Sequence, residues 1–285
     1  MQIGEKLDLE GVIRRVDEIS TLPHIAFRVM EVANNPDSGA LDLKEVVETD
    51  AALSARILRC VNSSAYALRT EITNLQQAIA FLGLKQIRNL AITASVSELF
   101  EQDDRIGGYS RSGLWRHLVS VAICARLIAM RCKLQDFEDA FLAGLLHDIG
   151  IILEDQQAHP EFVEVIGSLP GAKSLIDVEH RKLGFDHTQL GEGLAKKWGF
   201  PEQTKVAIRY HHASINYRGK HIDVLRCVDV ANLICTLAGM SSVGVKLVNV
   251  SQPALKGLSI SKNDIVVLAE DLKKELAAAK NLFNI

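Results

Sequence analysis

The sequence predicts an all-α protein, and three observations predict it. Between its six prolines, apolar residues recur with helical rather than alternating spacing. The apolar mass is Leu, Ile, Val and Ala, with aromatics at only 5%, as in cores packed from helices. The first hundred residues contain no convincing strand pattern. A chain of 285 residues, 48% hydrophobic and 24% charged, can bury a sizeable core and is not disordered. Its length suits one large domain or two of ordinary size.

The elements follow in order. Leu9 to Ile19 is a short amphipathic helix, broken at Thr21-Leu22-Pro23, with Pro23 suited to the first turn of the next helix. That helix runs to about Ala33 and stops at the turn cluster Asn34-Asn35-Pro36-Asp37. Asp42 can cap Leu43 to Glu48, and Asp50 can cap a helix carrying Leu53, Ile57, Leu58 and Val61 on one face. The small polar residues of Val61 to Tyr66 predict a tight corner. Thr73 or Asn74 caps a helix that Gly83 ends, and Leu84 to Phe100 restarts as a long apolar helix. Glu101 to Ser112, with its charges and two glycines, reads as a linker.

Helices follow over Gly113 to Cys132 and about Asp136 to Ile149. An irregular piece and a helix share Leu153 to Ser168, and Ser174 to Leu183 is helical. Asp186 caps Thr188 to Trp198, and the next helix ends at Tyr210-His211-His212. Val224 to Ala238 is a very apolar helix interrupted by Asp229, and Ser261 to Asn281 forms one or two amphipathic helices.

Several function classes are disfavoured. Net charge is -3 with no long Lys/Arg block, so the electrostatic footprint of a nucleic-acid binder is missing. The opening stretch does not read as a signal peptide, and no uninterrupted stretch reaches the length of a membrane span. Cys60, Cys124, Cys132, Cys227 and Cys235 are odd in number and form no CxxC, which predicts buried free thiols in a reducing cytoplasm.

The chemistry concentrates in AGLLHDIG, residues 143–150. An imidazole and a carboxylate, His147 and Asp148, end an apolar run, where unpaired polar groups are costly. Other segments supply partners: His117 just after Trp115, His187 at a helix start, His211 and His212 at a helix end, and Asp229 among Val228, Val230 and Leu233. Each alone is read as a hydrogen-bonded core or helix-end residue. Together they give five imidazoles and two carboxylates, a set suited to Fe, Mn, Zn or Ni rather than Ca or Mg. Asp148 can bridge two ions, whereas His211 and His212 are not expected to hold the same one. His24, His159, His180 and His221 are read as surface or capping residues.

These residues, with TLP at 21–23, TDAALSARILRCVNSSAY at 49–66, ITNLQQAIAFLGLKQIRNL at 72–90 and EHRKLGFDHTQLGEGLAKKWGFPE at 179–202, resemble the HDOD (HD-related output domain) branch of the HD superfamily of metal-dependent phosphohydrolases. The likeness covers about residues 18 to 215. It implies an all-helical fold in two lobes, drawn at 1–106 and 107–285, and a role in bacterial signal transduction. It implies His117, His147, Asp148 and Asp229 around one divalent ion. His187 and one of His211 or His212 would join a second through Asp148. Many HDOD members have lost metal ligands, but here every matching position is His or Asp. The related HD-GYP cyclic-dinucleotide phosphodiesterases follow HDIG with Lys. Here Ile151 stands there, and ASINYRGK replaces the GYP signature, so that activity is disfavoured.

Two functions therefore stand open. One is a signalling protein that is also a metal-dependent phosphohydrolase, with Asp148 at the catalytic water; Arg181, Lys182 and Arg209 are the only guesses for phosphate contacts. The other is a non-enzymatic regulatory module in which any metal is structural. The expected location is cytoplasmic and the expected partner a protein or a small phosphorylated ligand, with no nucleic acid and no membrane.

Overall fold

The computed structural model describes residues 8–19, 24–35, 37–62, 71–248 and 251–283. The break at Thr21 to Pro23 and most of the corner Val61 to Tyr66 lie outside them. The chain begins with α1 (Leu9–Ile19), α2 (His24–Asn34), α3 (Ala40–Glu48), α4 (Ala51–Val61), α5 (Leu75–Leu82) and α6 (Leu84–Ser97). A two-residue hairpin follows, β1 (Arg105–Ile106) paired antiparallel with β2 (Tyr109–Ser110). Then come α7 (Arg111–Arg131), α8 (Phe137–Leu146), α9 (Ile149–Gln157), α10 (His159–Gly167), α11 (Leu175–Lys182) and α12 (His187–Lys197). The chain closes with α13 (Glu202–Tyr210), α14 (Ile222–Leu237), α15 (Gln252–Gly257) and α16 (Lys262–Phe283).

The helix starts obey local chemistry. Asp50, Asn74, Ser110, Ser174 and Asp186 each accept a hydrogen bond from a backbone N–H in the first turn they cap. Each such cap contributes roughly 1 kcal/mol. Asp42 differs from its predicted role: α3 starts at Ala40, and Asp42 reaches back to accept from the Gly39 N–H at 2.7 Å. The predicted linker is also not slack. Tyr109 is buried, and its hydroxyl donates to Asp155 at 2.9 Å.

Two hydrophobic cores organise the helices. The smaller is built by α2 to α6, from residues such as Val29, Leu43, Ile57, Ala78 and Ile87. The larger surrounds α7, against which α8, α14 and α16 pack. Helices α2 and α6 serve both cores. Ile25 and Val29 face the small one while Ala26 and Met30 face the large one. Helix α1 packs with α9 and α12. By length and composition α7 could cross a membrane. However, 72% of its most apolar window is buried inside the protein, as in a core helix.

A polar joint ties α6 to α8. Arg88, 1% exposed, donates to Asp139 at 2.9 Å, and Lys85 reaches the same carboxylate at 2.6 Å. Asn89 donates to the Glu138 carbonyl and carboxylate, both at 2.8 Å. Removing one partner of such a buried pair costs roughly 3–5 kcal/mol, because the other charge is left uncompensated.

Candidate metal centre

The predicted HD helix ends a little before Ile149, and a second helix follows at once. Helix α8 ends at Leu146, and α9 begins at Ile149 with Asp148 as its preceding cap residue. The break lets His147 and Asp148 turn into one space. The glycines of the motif make the fit possible. A Cβ on Gly144 would lie 2.9 Å from the Ala122 Cα, so glycine there lets α8 close on α7. A Cβ on Gly150 would lie 1.9 Å from the His187 carbonyl oxygen, so glycine lets α9 meet the start of α12.

Six of the seven predicted donors come together. His117, His147 and Asp148 form one group whose donor atoms lie within 4.8 Å of one another; Asp148, His187, His211 and His212 form another. Asp148 belongs to both, as a bridging carboxylate would. Its Oδ2 lies 3.5 Å from His117 Nε2 and 3.3 Å from His147 Nε2. Its Oδ1 lies 3.4 Å from His187 Nε2 and 3.0 Å from His211 Nε2. His212 Nε2 is 3.1 Å from that of His187.

Two placements differ from expectation. Asp229 is in neither group. It faces Ser214, whose hydroxyl donates to its Oδ2, and burial pushes its carboxyl pKa up. The hydroxyl occupies one carboxylate oxygen, and the charge of His211 acts on the same carboxyl. His211 and His212, not expected to hold the same ion, lie in the same group with ring centroids 4.0 Å apart. The reason is that α13 ends at Tyr210, and the turn after it brings both rings to one side.

The other ring nitrogens explain the orientation. Nδ1 of His117 contacts the Met240 carbonyl at 2.7 Å, and Nδ1 of His147 contacts the Gly144 carbonyl at 2.8 Å. Nδ1 of His211 lies 3.1 Å from the carbonyls of Ala207 and Ile208. A carbonyl only accepts, so each Nδ1 carries the proton and donates. The Nε2 lone pairs then face the Asp148 carboxylate. His187 Nδ1 is held by the buried Glu179 carboxylate at 2.8 Å, which fixes the ring and raises its basicity.

These atoms could hold a metal ion. His117 Nε2 and His147 Nε2 are 3.3 Å apart, and neither has a proton to give when neutral. Among the described residues, Asp148 Oδ1 and His211 Nε2 are buried without a hydrogen-bond partner. Such a concentration of acceptors is costly unless a cation joins it. Without one, protons partly fill the role. Burial opposes charge on His187, but Glu179 and Asp148 outweigh it and push its pKa well above the usual value. Burial likewise opposes charge on Asp148, yet His147, His117 and His187 hold it well below the carboxylate range. Metal binding would release such protons.

The remaining predictions divide. Ile151 is buried in the large core, so no cation occupies that position. Lys182 pairs with Glu164 at 2.9 Å, and Arg209 donates to Thr188 at 2.7 Å; neither is brought to the Asp148 carboxylate by these bonds. His159 and His180 meet Asp155 and Asp186, and His221 precedes α14 as its cap residue. The side chain of His24 lies outside the described residues. All five cysteines are free thiols; Cys124, Cys227 and Cys235 are buried and Cys60 and Cys132 half-buried. Glu179 was missed by the sequence reading. A signal existed: it stands four residues after Leu175 and one after Val178, on the buried side of α11. The Met240 carbonyl had none, since any residue could supply it.

Comparisons with known proteins agree with this fold. The HDOD domain profile matches residues 19–214. An HDOD domain protein of unknown function from Geobacter sulfurreducens superposes with a TM-score of 0.79 at 27% identity, covering 98% of this chain and 100% of that one. A Marinobacter aquaeolei VT8 protein with a provisional assignment to signal transduction gives a TM-score of 0.78 at 26% identity, covering 97% of this chain and 65% of that one. An uncharacterised Treponema pallidum (strain Nichols) protein is 24% identical over 228 residues, 78% of this chain and 43% of that protein. The chain thus spans less than half the length of that relative. With the profile covering more than half of the chain and the fold shared end to end with the Geobacter protein, this chain belongs to the HDOD domain family.

Proposed function

We infer that the protein is a regulatory HDOD protein of signal transduction whose larger core holds a divalent transition-metal centre, and that this centre hydrolyses phosphoesters. One observation carries the metal: four imidazoles turn their Nε2 atoms onto a single buried carboxylate, and among the described residues Asp148 Oδ1 and His211 Nε2 have no hydrogen-bond partner. His117, His147, His187, His211, His212 and Asp148 are the ligands this reading assigns, for one or two ions of Fe, Mn, Zn or Ni. When bound, such an ion supplies a Lewis acid for a phosphoryl oxygen and makes water more acidic. The protein's own residues do the positioning. Glu179 and the carbonyls of Met240, Gly144 and Ala207 fix the rings. His212, the exposed member, marks the open side from which a phosphoester and water would enter.

The second reading, a structural metal clamp, is favoured by burial. His117, His147, Asp148, His187 and His211 are each at most 3% exposed. Elemental analysis of the purified protein tests the metal first. A stoichiometric transition metal supports the centre; none above background, with no uptake of Mn or Fe, defeats it. A screen of phosphomonoesters, nucleotides and cyclic dinucleotides then separates the readings. Turnover lost in Asp148→Ala supports hydrolysis. Metal without turnover, and an unfolding midpoint that drops on chelation, supports the clamp.

A further inference from the structure

A second site lies beyond the imidazole cluster. A groove of about 460 Å³ opens between the turn 214–219 and the starts of α14 and α15. That volume falls within the range of small-molecule sites, about 300–1,000 Å³. None of the six clustered metal donors lines it.

Its lining contains two guanidinium groups, Arg218 and Arg226, and no carboxylate. Both are anchored at one nitrogen. Arg226 Nη1 donates to Asp223 at 2.9 Å, and Arg218 Nη1 donates to the backbone carbonyls of Ile215 and Tyr217. Among the described residues, the other N–H groups of both have no acceptor. Carbonyl partners leave the charge of Arg218 unneutralised. Arg226 lies against α15: a Cβ on Gly257 would be 2.3 Å from its Cζ. The rest of the groove is apolar. Ile215 is 56% exposed at the rim, Tyr217 is braced by Tyr210 at 5.4 Å between centroids, and Pro253 stands opposite on α15. Ser214 forms part of the wall and donates to Asp229 behind it.

We propose that this groove binds a small organic phosphomonoester, its phosphate gripped by Arg218 and Arg226 and its body resting on Ile215, Tyr217 and Pro253. Planar guanidinium forks match the oxygens of phosphate or carboxylate. Two forks match the three terminal oxygens of a phosphomonoester better than the two of a carboxylate. The site goes beyond the metal reading and does not rest on it.

The test is a titration of the intact ¹⁵N-labelled protein with AMP and with phenyl phosphate, followed by amide shifts. Saturable shifts at Ile215, Tyr217 and Ala254 are expected. Arg218→Ala and Arg226→Ala should each weaken binding by about tenfold or more, the cost of losing a charged hydrogen bond. Gly257→Ala should also weaken it, because it displaces the Arg226 guanidinium while keeping both charges. Should Arg226→Ala fail to fold, Arg226→Lys keeps the charge but loses the fork, and its weaker binding serves instead. Benzoate should bind less tightly than phenyl phosphate. The proposal is overturned by no shift at Ile215 and Tyr217 at millimolar ligand, or by shifts confined to the amides of His147 and Asp148. Equal affinity for benzoate, or unchanged affinity in the double arginine variant, overturns it as well.

Discussion

Helix α9 has a buried aspartate at each end, and both aspartates meet histidine. Asp148 precedes the helix and lies among the Nε2 atoms of His117, His147, His187 and His211. Asp155 lies near the other end, grouped with His159 and Asp104 within the same 4.8 Å. Proximity alone would make both of them metal sites. Their partners distinguish them. Asp155 accepts from Arg111 Nε at 2.6 Å, from the Tyr109 hydroxyl at 2.9 Å and meets His159 Nδ1 at 2.8 Å. It is saturated by groups that carry protons. Asp148 faces the Nε2 atoms of His117, His147 and His211, whose protons sit on the far side of the ring. A surplus of donors makes a structural ion pair, whereas a surplus of acceptors makes a place for a cation.

The contrast is broken most sharply by exchanging the two aspartates for alanine. Asp148→Ala should abolish stoichiometric metal, read by elemental analysis, while Asp155→Ala should leave it intact. Equal metal content in the two variants would remove the distinction. On stability, Asp155→Ala strands the partly buried Arg111 and should cost roughly 3–5 kcal/mol, read as a lower urea midpoint. Next comes Glu179→Gln, which takes the charge from behind His187. It should weaken metal binding roughly 10–100-fold, as losses of such orienting partners do. Measured affinity equal to wild type would show that His187 needs no such support. Gly150→Ala forces a methyl against the His187 carbonyl and should cost roughly 1–3 kcal/mol. It should lower metal occupancy too, because α9 and α12 must part.

The smallest effect is in pH. Burial opposes charge on Asp155, but Arg111, His159 and Tyr109 outweigh it and hold the carboxyl below its usual range. A carboxyl depressed in the folded state binds its proton more readily when unfolded. Its stabilisation is therefore complete above the unfolded pKa of about 3.9 and lost as pH falls below it, through the folded value. The stability gap between wild type and Asp155→Asn should shrink as pH is lowered from about 5 toward 3. A gap that stays constant over that range would mean the ion pair contributes nothing.

Much of this was legible in the chain. Helical periodicity marked most of the helices, and Asp50, Asn74 and Asp186 cap where their chemistry said they would. Capping is local, so it survives folding unchanged. The six clustered residues were visible because polar groups at apolar helix ends are expensive and therefore conspicuous. Failures came where the deciding contact is distant. Asp229, read as a ligand from its apolar surroundings in sequence, stands outside both donor groups, with Ser214 donating to one of its oxygens. Tyr109 looked like linker because glycines precede it, but Asp155 holds it in the core.

By itself, the sequence determined that this protein is helical and that it carries an unusual store of imidazole and carboxylate near helix ends. Both follow from short-range properties: periodicity, capping and the cost of burying a polar group. Only the tertiary structure decided which nitrogen of each ring faces inward. It also decided that Glu179 stands behind His187, that Asp148 is short of donors while Asp155 is not, and that two arginines share an apolar groove. Those outcomes depend on which segments meet across the large core, and hydrogen-bond direction is settled only when donor and acceptor are in place.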